Sequence, residues 1–171
     1  GVGRGEDRHG AVLGDAADRL MAAQPGMDDL DRRARIAEGL GALAPGSALV
    51  AFHQSTVASE RALAAGPESP EGSRRLEEAV MLLRWAAKGF DVEAQAAPRD
   101  FAAAFRRGAT YARLFILSGD PSAGQRAQLM LSELLKFPES AGHEARIRTM
   151  MRDVAVRQSE RAERHLDHAE R

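Results

Sequence analysis

The chain contains no cysteine. That excludes disulfide staples, a thiolate metal site and a cysteine nucleophile. Residues suited to strands are scarce: Val, Ile and Thr together number 14 of 171. Sheets draw on these types, so a sheet is not expected. Lysine occurs only at Lys88 and Lys136, and there is one Trp and one Tyr. No apolar run approaches the roughly 18 residues of a membrane span. Charge of either sign is not in surplus: 24 basic and 25 acidic residues give a formal net charge of −1. A nucleic-acid binder ordinarily shows a basic excess, so that class is disfavoured.

Catalytic signatures are also missing. The chain has no phosphate-cradling loop after a strand, no nucleophile elbow, no HExxH helix and no paired catalytic carboxylates. Gly1-Val2-Gly3-Arg4-Gly5 is glycine-rich, but no strand precedes it. No cofactor is implied, and the reading is non-enzymatic.

What remains is helix-forming chemistry. Ala, Leu, Arg and Glu dominate, and each favours the α-helix. Residues 1–10, with four glycines and no apolar period, read as a disordered tail. Residues 11–171 read as one helical domain of ordinary size. The chain opens on Gly1 rather than Met, so we expect a processed or excised piece of a longer protein. The Ala-, Gly- and Arg-rich composition suggests a bacterial source, with cytoplasm and periplasm both open.

Apolar spacing and stop signals divide the chain into about seven helices. The first follows Ala11 and stops at Gln24-Pro25-Gly26. Asp28 is placed to cap the second, which Ala44-Pro45-Gly46 ends. Ser47 caps a third over about 48–65, and Gly66 to Ser73 forms a loop. A fourth covers about 74–89 and is interrupted at Gly89-Phe90-Asp91. The fifth, about 99–118, carries the most regular stripe: Phe101, Phe105, Gly108, Ala112 and Phe115. Gly119 stops it, Asp120 caps a sixth, and Pro121 takes its first position. Pro138 ends the sixth, and Ser140 caps a seventh over about 141–170. Residues 158–171 hold few apolar side chains, and read as a solvated or partner-seeking helix end. Short connections imply antiparallel neighbours, either in stacked α-hairpins or in an irregular bundle.

Two stretches resemble repeat families. Residues 108–140 resemble a tetratricopeptide unit: Gly108, Tyr111 and Ala112 on one helix, Gly119-Asp120 at the turn, Ala127 on the next helix and Pro138 at the end. Phe137-Pro138-Glu139-Ser140, with Ala141 and Ala145, is similar to the ending of such units in bacterial envelope proteins. Residues 79–95 are similar to the Sel-like subclass through Ala79, Ala86, Ala87, Gly89, Ala94 and Gln95. The span from Gly108 to Gly119 exceeds the 34-residue unit's allowance by about one helical turn. The resemblance implies a solenoid of α-hairpins that binds a protein or peptide in an inter-helix groove. Its groove residues would be Arg84 and Trp85 on the fourth helix and Arg107, Tyr111 and Arg113 on the fifth. An aromatic anchor and arginine contacts to carboxylates or carbonyls would supply the binding. The alternative function is a self-associating bundle that pairs through its last helix.

Other residues carry lesser expectations. His53 with Glu60 would form an acid–base couple if paired and buried, making a small-molecule site. His143 would support the cap of the last helix. His165 and His168 share a helix face, but no third ligand is evident and no metal site is expected. The clusters at Arg32, Arg33 and Arg35, at Arg74 and Arg75, and at Arg106 and Arg107 lie among acids, so ion pairs are expected. Trp85 and Phe90 would mark a partner groove if exposed, and packing if buried.

Overall fold

The computed structural model describes residues 30–171. Among the described residues the protein is all-α, with six α-helices and no strand. They are α1 (Leu30–Leu43), α2 (Ala48–Ala65), α3 (Pro70–Ala96), α4 (Phe101–Ser118), α5 (Pro121–Leu134) and α6 (Glu144–Ala169), with a 3₁₀ turn at Pro138–Gly142 before the last. The expected first helix, the Asp28 cap and the tail at 1–10 lie outside the described residues. The chain divides into two compact units between Gly89 and Phe90, inside α3. No described helix is long and apolar enough to cross a membrane.

Local chemistry sets most helix ends. The Ser47 hydroxyl accepts from the Val50 amide at 3.3 Å and starts α2. Asp100 accepts from Ala102 at 3.0 Å and starts α4. Gly119 ends α4 in the left-handed conformation, φ +70°, with its amide bonded to Phe115 O. That conformation disfavours any side chain, which is why a glycine stands there. Asp120 then caps α5 through the Ser122 amide at 3.0 Å, with Pro121 in the first turn.

Four boundaries differ from expectation, the first being that of α5, which stops at Leu134, short of Pro138. α3 begins at Pro70 rather than near residue 74, because Ser69 Oγ accepts from the Gly72 amide at 3.0 Å. It also runs unbroken through Gly89-Phe90-Asp91 to Ala96. Gly89 serves packing there: a Cβ at this position would stand 2.6 Å from the Ala48 Cβ. Ser140 does not cap α6. It is buried in the 3₁₀ turn that Pro138 opens, and its hydroxyl donates to Leu135 O at 3.3 Å.

In the first unit, α1 packs on α2. Ala34, Ala37 and Val57 form a buried cluster with Leu30 against it. Arg33 of α1 is bonded to Glu60 of α2, and Gln54 donates to Ala37 O at 3.2 Å.

In the second unit α4 and α5 make the main hairpin, and α6 packs on both. Leu131, Leu134, Ile147 and Val154 are fully buried there, with Phe115 and Phe90. Each such aliphatic side chain contributes about 2 kcal/mol of transfer free energy. Small residues permit the approach. A Cβ on Gly108 would stand 3.1 Å from Leu131 Cδ2, and one on Gly124 would stand 2.9 Å from the Phe115 ring. Gln128 of α5 ties α6 by donating to Met151 O at 3.0 Å.

Candidate functional site

The five residues expected to line a groove have different fates. Tyr111 is 6% exposed. Its hydroxyl donates to Asp91 Oδ2 at 2.6 Å and accepts from Arg126 Nη1 at 3.3 Å. The Arg126 guanidinium also lies 5.7 Å from the Tyr111 ring centroid. Arg107 Nε stands 3.7 Å from Asp91 Oδ1. One carboxylate therefore gathers a phenol and a guanidinium, and the phenol gathers a second guanidinium. Burial, with Asp91 as hydrogen-bond acceptor, raises the Tyr111 pKa above its ordinary 10.0. Tyr111 is thus buried within its unit, with its hydroxyl engaged by Asp91 and Arg126. Asp91 and Arg126 were not singled out from sequence. Asp91 sits in what reads as a helix interruption, and nothing periodic links it to a residue 20 positions away.

Arg113 is half-buried on α4. Burial lowers its pKa, and the neighbouring charge of Arg146 adds to this. Arg84 is exposed on α3. Trp85 is 45% exposed, whereas Phe90 is buried at 1%. Trp85 rims a groove of about 280 Å³ in the first unit, with Leu82, Val50, Ala51, Ala44 and Pro45 among its walls. Among the described residues no charged side chain lines this groove.

Glu60 is taken by Arg33 on α1, so the His53–Glu60 couple does not form. His53 is buried and meets the Phe52 ring edge-on at 6.0 Å. The other clustered arginines largely behave as expected. Arg75 pairs with Glu78 at 3.3 Å, and Arg107 approaches Asp91 at 3.7 Å.

His143 occupies the N-cap position of α6 but makes no side-chain cap bond. Its ring instead tilts against Phe101 at 5.3 Å and Phe105 at 6.0 Å. Phe137 meets Phe101 at 5.8 Å, and the Arg146 guanidinium lies 5.0 Å from the Phe105 centroid. Phe101 and Phe105, the first two members of the α4 stripe, are half-buried in this aromatic cluster.

A second groove, of about 380 Å³, lies between the end of α4 and the C-terminal half of α6. Arg157, Arg161, Arg164, His165 and His168 line one side. Ile116 and Leu117 line the other. The two histidines read as a helix-face pair are here, and among the described residues no group of three potential ligands could hold a metal.

Compared with protein-family models, curated proteins and solved structures, the chain matches none of them.

Proposed function

We propose that the protein is a non-enzymatic, tetratricopeptide-like α-helical scaffold that takes a protein or peptide segment in an inter-helix groove. The carrying observation is Trp85, a large aromatic left 45% exposed beside an uncharged groove. Exposed Trp at a groove rim is the residue type that most often anchors a partner. The lining has neither acid nor base among the described residues, so the occupant presents an apolar side chain from an uncharged stretch. The helix packing is compatible with stacked hairpins and equally with an irregular bundle. α4 pairs with α5, and α6 packs on both.

Trp85 is the chain's single tryptophan, so its fluorescence reports on this groove directly. Peptides selected from a random library should share an apolar anchor and shift the Trp85 emission to the blue. They should not bind Trp85→Ala, whose exposed site leaves the fold intact. A selection yielding no peptide that distinguishes the two proteins sinks the reading.

A second reading is self-association through α6. After Val154 no residue of α6 is buried, yet the helix continues to Ala169 with Leu166 at 64% exposure. Light scattering of a form truncated after Arg157 separates the cases. Loss of a dimer on truncation supports self-association, and an unchanged monomer in both forms removes it.

A further inference from the structure

The groove between α4 and α6 is one-sided in charge among the described residues. Arg157, Arg161, Arg164, His165 and His168 line it, and no acidic side chain does. They recur at helical spacing on one face of α6. Asp153, Glu160 and Asp167 stand three or four residues from these arginines. Such spacing permits intrahelical ion pairs. None forms: among the described residues Arg157, Arg161 and Arg164 make no ion pair, although Arg148 and Glu144 pair on the same helix. Three fixed positive charges are therefore gathered on a chain whose formal net charge is −1.

Part of this has a local role. Arg161 lies against Gly119 at the carbonyl end of α4, where a cation offsets the negative helix terminus. Arg157, Arg164 and the histidines have no such partner in view. The opposite wall adds Ile116 and Leu117, both half-buried. A site of this kind offers charge and apolar contact together.

We infer that this groove binds a short acidic segment of a protein, with carboxylates toward the arginines and an apolar side chain toward Ile116 and Leu117. Length fits such an occupant. Arg157 to His168 spans about 16 Å at the helical rise, the reach of about five extended residues. The steps between the arginines, about 6 and 4.5 Å along the axis, are near the roughly 6.6 Å between same-side residues of an extended chain. A long polyphosphate fits less well. It would run beyond the cationic stripe onto a helix that also carries Glu160, Glu163, Asp167 and Glu170. This inference does not depend on the Trp85 groove.

The test is fluorescence anisotropy with the whole chain and a labelled peptide alternating Glu and Leu. A single-stranded oligonucleotide and vesicles rich in anionic lipid serve as rival probes. The expected result is saturable peptide binding that weakens with salt and falls about tenfold or more in Arg157→Glu/Arg164→Glu. Glu163→Lys, on the acidic face, should not weaken it. Circular dichroism checks the helices, and Arg157→Gln/Arg164→Gln gives a milder variant should reversal disturb them. No peptide binding, equal binding by both arginine variants, or tighter binding to the oligonucleotide or the vesicles overturns the proposal. Peptide binding that survives Trp85→Ala, yet fails in the arginine variants, upholds this site independently of the other groove.

Discussion

The Tyr111 hydroxyl donates a 2.6 Å hydrogen bond to Asp91, tying α4 to the last turns of α3. Arg107 and Arg126 approach the same pair from either side. Tyr111→Phe keeps the ring and removes both hydroxyl bonds. It should lower stability by about 1–2 kcal/mol. Asp91→Ala should be worse, because it leaves the buried hydroxyl without its acceptor and Arg107 without its carboxylate. Urea unfolding measures both, and a Tyr111→Phe protein as stable as the parent would show that the network is idle.

The same tyrosine gives a pH prediction. Its folded-state pKa is raised above 10.0, so the folded state favours the neutral phenol. The associated stability is fully present below the unfolded-state pKa of about 10. It is lost as pH climbs through the higher folded-state value. Tyr111 is the chain's only tyrosine, so phenolate absorbance during an alkaline titration follows it alone. The midpoint should lie above 10.0 in the folded protein and return towards it in denaturant. A folded-state midpoint at or below the ordinary value would contradict the buried hydrogen bond.

In the first unit, Arg33 is nearly enclosed, its side chain 11% exposed, while Glu60 is 36% exposed. Glu60→Ala would leave a buried guanidinium without its counter-charge. We predict a loss of about 2 kcal/mol. Replacing both residues by Met should recover much of that loss, since the uncompensated charge goes too. Thermal unfolding of the three variants tests this. A double variant less stable than Glu60→Ala would show that the pair itself, rather than the stranded charge, dominates.

Gly124 faces the Phe115 ring so closely that an added Cβ would fall 2.9 Å from it. Phe115 is 2% exposed and has little room to shift. Gly124→Ala gains helix propensity of about 1 kcal/mol. Overpacking opposes it by about 1–3 kcal/mol. Net destabilisation is expected in denaturant melts. Gly39→Ala, with nothing within 4 Å of the new carbon, should stabilise instead. Equal effects at the two positions would remove the packing argument.

Legibility from sequence followed the range of each interaction. Gly119-Asp120-Pro121 was readable as a stop and restart because each signal acts within two or three residues. Ser47 was readable for the same reason. Gly89 was misread because glycine carries two meanings, a break or a close approach, and only the position of Ala48 selects the second. Ser140 was misread because Pro138 opens a 3₁₀ turn first. For the candidate grooves, residue type suggested Trp85, and the arginines of α6 went unnoticed. They alternate with acids along the chain, and only the placement of α4 makes a groove beside them.

By itself the sequence determined the helical class and most helix ends, since propensity and capping are backbone effects satisfied nearby. The tertiary structure decided which side chains were left over. Tyr111 meets a carboxylate 20 residues away, and Arg33 meets one 27 away. Trp85 and the α6 arginines remain at the surface. Burial and charge pairing depend on which neighbouring helix face is presented, and no local pattern encodes that.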